Sequence, residues 1–136
     1  YDLGSGTGKV VCHVALGSGL SKACGVEFDK VRFDKSVNLA NKISFPRVEP
    51  EFINDDFFVQ DYSDATVMYF DNAMWDEHFE ADKKLTEKLF ETIQPGTLIL
   101  SKEPIAHTLG HKKYVDLPTS YNWSRGYALI FLAIEP

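Results

Sequence analysis

The stretch Asp2-Leu3-Gly4-Ser5-Gly6-Thr7-Gly8 constrains the fold more than any other part of the chain: an acid closes a short apolar segment, then glycine stands at every second position. Glycine takes positive φ without a Cβ clash and lets another molecule touch bare backbone. Lys9-Val10-Val11-Cys12-His13-Val14-Ala15-Leu16 then reads as a helix. Its first N–H groups have no partner within the helix and would favour an anionic part of whatever the loop holds. Strand, tight loop and helix in this order describe a nucleotide site at the edge of an α/β sheet.

Glycine spacing narrows the ligand. A dinucleotide fingerprint placed on Gly4 and Gly6 needs a third glycine at position 9, where Lys9 stands. Asp2 ahead of the glycines suits a ligand with a cationic end, since its carboxylate would accept from an ammonium such as that of S-adenosylmethionine. Glu27 lies 27 − 2 = 25 positions after Asp2, at the end of the apolar run Ala23-Cys24-Gly25-Val26, where an acid can take both ribose hydroxyls. Asp56 and Phe57 close the element around Phe52 and Ile53, offering a carboxylate for an adenine amino group and an aromatic for the ring face. Thr66 to Phe70 reads as a buried strand that delivers Asp71-Asn72-Ala73-Met74-Trp75 at its carboxyl end. These sheet-edge positions are expected to converge on one ligand.

The remaining pattern is an alternation of strands and helices. Asp29 is placed to cap a helix whose apolar face is Val31, Phe33, Val37, Leu39 and Ala40, and Phe45 to Pro50 cannot be helical. A third helix is expected over 76–92, with Phe79, Leu85, Leu89 and Ile93 on one side, ended by Pro95-Gly96. Strands follow at 97–101, 114–117 and 127–134, the last two antiparallel, with 105–113 as a loop. The expectation is an α/β, doubly wound, Rossmann-like domain over residues 1–136: a mostly parallel seven-stranded sheet with an antiparallel final strand and helices on both faces. Only Tyr1 precedes Asp2, so the first strand reads as begun partway, in a piece of a longer protein.

Charge and composition exclude some partners. A net charge of −6 argues against this piece alone gripping DNA, because phosphate binding needs clustered Lys and Arg. Lys83-Lys84 and Lys112-Lys113 read as solvated surface. An acidic face suits basic partner surfaces instead, and any DNA contact is expected from segments outside the chain. Cys12 and Cys24 lack metal spacing and read as buried reduced thiols. His107 and His111 are four apart, but Gly110 disfavours a zinc-binding helix, so no metal is expected. His13 reads as a packed histidine. No run approaches the ~20 apolar residues of a membrane span, and no membrane partner is expected.

Taken together, these motifs resemble the non-SET histone lysine methyltransferases of the disruptor-of-telomeric-silencing type. The resemblance rests on Asp2 to Gly8, Gly25-Val26-Glu27, Asp56-Phe57, Asp71 to Trp75, Leu98-Ile99-Leu100-Ser101-Lys102, and Trp123-Ser124 followed by Tyr127. It implies a class I methyltransferase fold, a nuclear location, and S-adenosylmethionine as the donor of a methyl group to a lysine in the globular core of nucleosomal histone three. It also implies an N-terminal region that closes over the cofactor. By the same resemblance Asp2, Gly4, Ser5, Gly6, Gly8, Glu27, Asp56, Phe57 and Asp71 hold the cofactor. Asp71 and Asn72 form a polar rim at the methyl donor, and Trp75, Trp123 and Tyr127 line the lysine channel. Where the family has two asparagines, this chain has Asp71-Asn72. Two other readings keep the cofactor: transfer to a small molecule, RNA or another protein, and a scaffold that binds cofactor without turnover.

Overall fold

Short, mostly apolar runs make most strands of this chain, and longer amphipathic runs make its helices. The computed structural model describes residues 1–72, 79–102, 112–117 and 129–134. They form β1 (Asp2–Leu3), α1 (Lys9–Gly17), β2 (Cys24–Val26), α2 (Lys30–Ala40), β3 (Glu51–Ile53), β4 (Val67–Phe70), α3 (Phe79–Thr92), β5 (Leu98–Ser101), β6 (Lys112–Leu117) and β7 (Leu129–Ile134). The chain divides into two compact units, Tyr1–Gln60 and Asp61–Pro136.

In the first unit β2 lies between β1 and β3, parallel to both. Leu3 is in register with Val26, and Val26 with Ile53. Residues Gly4, Glu27 and Asn54 therefore leave the three strands at the same end. Helix α1 buries Val11, Cys12 and Ala15, and Val11 and Ala15 join Ala23 in a core that Val14, Phe45 and Phe52 partly cover. Burial pushes the Cys12 thiol above its ordinary pKa, so it stays protonated and unreactive at neutral pH.

Two expectations about these helices need correction. His13 is exposed rather than packed. It stands two residues from Val11, about 200° around a helix with 3.6 residues per turn, and so faces away from the buried stripe. Helix α2 does start at Asp29, whose Oδ1 accepts from Arg32 N at 2.8 Å. Phe33, Val37, Leu39 and Ala40 are half-buried as expected, but the most buried residue of the helix is Ser36, while Val31 is 62% exposed. Ser36 lies against Gly8, where only a small side chain fits, and its hydroxyl is satisfied by donating to Phe33 O at 2.7 Å.

In the second unit β4 and β5 are parallel, with Phe70 opposite Ser101. β7 is antiparallel to β5, and β6 is antiparallel to β7. Met68, Leu85 and Leu89 are fully buried, with Phe70, Ile93 and Ile99 nearly so, as the apolar stripe of α3 requires. Lys112 and Lys113 are not loop residues: they open β6, paired with Ile134 and Ala133. An antiparallel ladder uses backbone groups, so charged side chains do not prevent its formation. The rest of the expected loop, 105–111, the proposed start of α3 at 76–78, and Tyr127 lie outside the described residues. Among the described residues no helix is long and apolar enough to cross a membrane.

Candidate functional site

The glycine loop takes the backbone conformation its composition calls for. Gly4, Gly6 and Gly8 have φ of +75°, +56° and +77°, and the described residues include no other type at positive φ. The loop is tied to the strand beside it, because Gly4 N and Ser5 N both donate to Val26 O, at 2.9 and 3.0 Å. The three glycines serve different ends. A Cβ at Gly8 would lie 2.7 Å from the Phe52 ring and from Ser36 Cβ, so this glycine is needed for packing. A Cβ at Gly4 or Gly6 would meet nothing within 4 Å. Those two positions leave a backbone-lined cradle at the start of α1, a helix whose N-terminus no side chain caps.

Glu27 is bound directly to this loop. It is only 6% exposed. Its Oε2 accepts from Gly6 N and its Oε1 from Asp29 N, both at 2.8 Å. One carboxylate thus joins the glycine loop to the turn that starts α2, and its remaining lone pairs can accept from ligand hydroxyls. Asp2 is buried at the head of the loop. Ser5 is also buried, and its hydroxyl has no hydrogen-bond partner. It packs toward β2, where a Cβ on Gly25 would lie 2.6 Å from Ser5 Oγ. Gly25 therefore has to be glycine for the loop to sit down on the sheet, and the Ser5 main chain is committed within the loop, its N–H to Val26 O and its C=O to Gly8 N.

Asp56 and Phe57 follow β3. Asp56 Oδ1 accepts from Phe58 N at 2.9 Å, an Asx turn that sets the carboxylate. Phe57 is half-buried, and its ring is 4.8 Å from that of Phe58, centroid to centroid. One residue escaped the sequence reading: Asn54 Nδ2 donates to Glu27 O at 2.8 Å and to Phe28 O at 3.0 Å. The signal was its position directly after a strand, which describes many turn residues equally well.

In the second unit Asp71 and Asn72 follow β4. Asn72 is buried, and Asp71 pairs with Lys102 at the end of β5, Nζ to Oδ2 2.6 Å. The Lys102 side chain is 5% exposed and that of Asp71 44%. A buried ammonium is costly unless paired, and Asp71 supplies the opposite charge. Trp75, Trp123 and Tyr127 lie outside the described residues.

The sequence profile of the histone methylation protein DOT1 matches residues 1–122. The chain belongs to the DOT1 family. Among curated proteins none matches it in sequence. Among solved structures, the chain is similar to an RNA methyltransferase from Salinibacter ruber in complex with S-adenosylhomocysteine. That match has 28% identity and a TM-score of 0.78, and covers 99% of this chain and 79% of the other. It shares its fold with magnesium protoporphyrin IX methyltransferase from Synechocystis with bound S-adenosylmethionine, at 12% identity and TM-score 0.71 over 99% and 68% of the two chains. A methyltransferase from Thiobacillus denitrificans shares it too, at 22% identity and TM-score 0.58, over 88% of this chain and 44% of the other. This DOT1-family chain therefore has the Rossmann-like class I methyltransferase fold expected from its alternating elements.

Proposed function

We propose that this DOT1-family chain transfers a methyl group from S-adenosylmethionine to a lysine in the globular core of histone three within the nucleosome. The observation that carries the cofactor is the open backbone at Gly4 and Gly6 with the Glu27 carboxylate held against it. These residues fit a nucleoside with an amino-acid tail: bare backbone for close approach, buried Asp2 for the ammonium, Glu27 for the ribose hydroxyls, Asp56 and Phe57 for the adenine. The bound cofactor supplies an electrophilic methyl on a positively charged sulfur, and its chemistry is that of an S-adenosylmethionine-dependent methyltransferase.

What the protein must add is position and a neutral amine. A free lysine has a pKa of about 10.4, and an apolar aromatic channel lowers it by disfavouring the charged form. Trp75, Trp123 and Tyr127 are proposed for that channel, with Asp71 and Asn72 as its polar rim. The Lys102 pairing bears on this assignment: it balances the Asp71 charge, so that Asp71 acts as a fixed acceptor rather than a lone anion that would keep the substrate amine protonated.

Family membership over residues 1–122 favours histone as acceptor, and so does an acidic net charge of −6. The similarity to an RNA methyltransferase favours RNA as the second reading. A nuclear location and DNA contact through segments outside this chain follow from the histone reading. The test gives the full-length protein tritiated S-adenosylmethionine with nucleosomes, free histones, RNA and small amines in parallel. Label on a histone three lysine, strongest with nucleosomes, is the expected result. Label on RNA alone would overturn the acceptor, and cofactor binding with no transfer to any substrate would favour a scaffold.

A further inference from the structure

We infer that Asn54 is a positioning residue for the ribose-binding acid, holding the Glu27 main chain so that its carboxylate is aimed before cofactor arrives. This inference rests on the cofactor reading above.

Glu27 is gripped from two directions. Its N–H donates to Ile53 O at 3.0 Å, the last tie between the ends of β2 and β3. Its C=O accepts from Asn54 Nδ2 at 2.8 Å, and the same amide reaches Phe28 O at 3.0 Å. Both donors of one side chain are thus committed to consecutive carbonyls of the turn that carries Glu27. The carboxylate in turn accepts from Gly6 N and Asp29 N. Asn54, Glu27, the glycine loop and the start of α2 form one connected network within the first unit. Asn54 is exposed, so water competes for its amide, and yet it bridges two main-chain oxygens. Order of this kind lowers the entropy lost when a ligand binds, because the acceptor atoms need not be fixed at that moment.

A plain turn residue in the same place would affect stability and nothing else. The two roles part company on ribose recognition. Calorimetry on the full-length protein would compare S-adenosylhomocysteine with its 2′,3′-dideoxyribose analogue, for wild type, Asn54→Ala and Asn54→Asp. The aspartate keeps the shape of asparagine and lacks its donors, so it carries the test if the alanine variant folds poorly. Wild type should prefer the ribose ligand. Either variant should bind that ligand up to about tenfold more weakly, as the cost of ordering the Glu27 side chain on binding implies, and the dideoxy analogue less than about twofold more weakly. Equal weakening of both ligands, or of neither, overturns the role of Asn54. If wild type itself binds both ligands alike, then the ribose assignment of Glu27 fails first and this inference falls with it.

Discussion

The two units of this chain build the polar groups at their strand ends from different materials. In the first, main-chain geometry dominates: glycines at positive φ, amides donating to Val26 O, and one carboxylate joined to Gly6 N. In the second, the described polar groups at the strand ends include a side-chain ion pair between Asp71 and Lys102. Backbone-made sites write themselves into sequence, because only glycine tolerates the required φ and its spacing shows which residues approach the ligand. A site made by side chains 102 − 71 = 31 positions apart leaves no local pattern to read.

That contrast predicts different responses to substitution. Gly8→Ala should be the most damaging single change. It forces alanine to φ +77° and sets a methyl 2.7 Å from Phe52 and Ser36. Left-handed backbone costs about 1–2 kcal/mol and overpacking about 1–3, so chemical denaturation should show a loss of about 2–5 kcal/mol. Gly6→Ala meets open space and should lose only the backbone part. Equal losses at the two positions would mean that Gly8 packs no more tightly than Gly6, and the distinction between packing and ligand glycines would fail.

The ion pair should respond asymmetrically. Asp71→Ala leaves the buried Lys102 ammonium without its carboxylate and should cost about 2–4 kcal/mol. Lys102→Met leaves a half-exposed carboxylate that water still solvates, so about 1 kcal/mol is the expected loss. Thermal or urea denaturation of the two variants compares them directly. A larger loss in Lys102→Met would show that Asp71, not Lys102, is the group that depends on the pair.

Much of the first unit was legible because its residues satisfy local rules. Asp29 caps α2, Glu27 follows an apolar strand, and Asp56 follows β3 in an Asx turn with Phe58 N. What escaped depends on tertiary contact. Ser36 is buried because Gly8 needs a small neighbour, which puts a polar residue at the centre of the half-buried face of Phe33, Val37 and Ala40 and leaves Val31 outside. His13 was misread by treating an apolar run as uniformly buried instead of following its 3.6-residue period. Lys112 and Lys113 join β6 because β7 supplies their partners, and charge alone gives no sign of that. Lys102 was visible only as part of a family motif, and its pairing with Asp71 was not visible at all.

The central claim is that the glycine cradle and Glu27 together hold an adenosine cofactor, and calorimetric titration of S-adenosylhomocysteine into wild type and Glu27→Ala tests it most directly. Glu27 is expected to make charge-assisted hydrogen bonds to the ribose and is already bound to Gly6 N, so the variant should bind at least about thirtyfold more weakly at equal protein fold. Unchanged affinity in a folded Glu27→Ala protein would contradict the account.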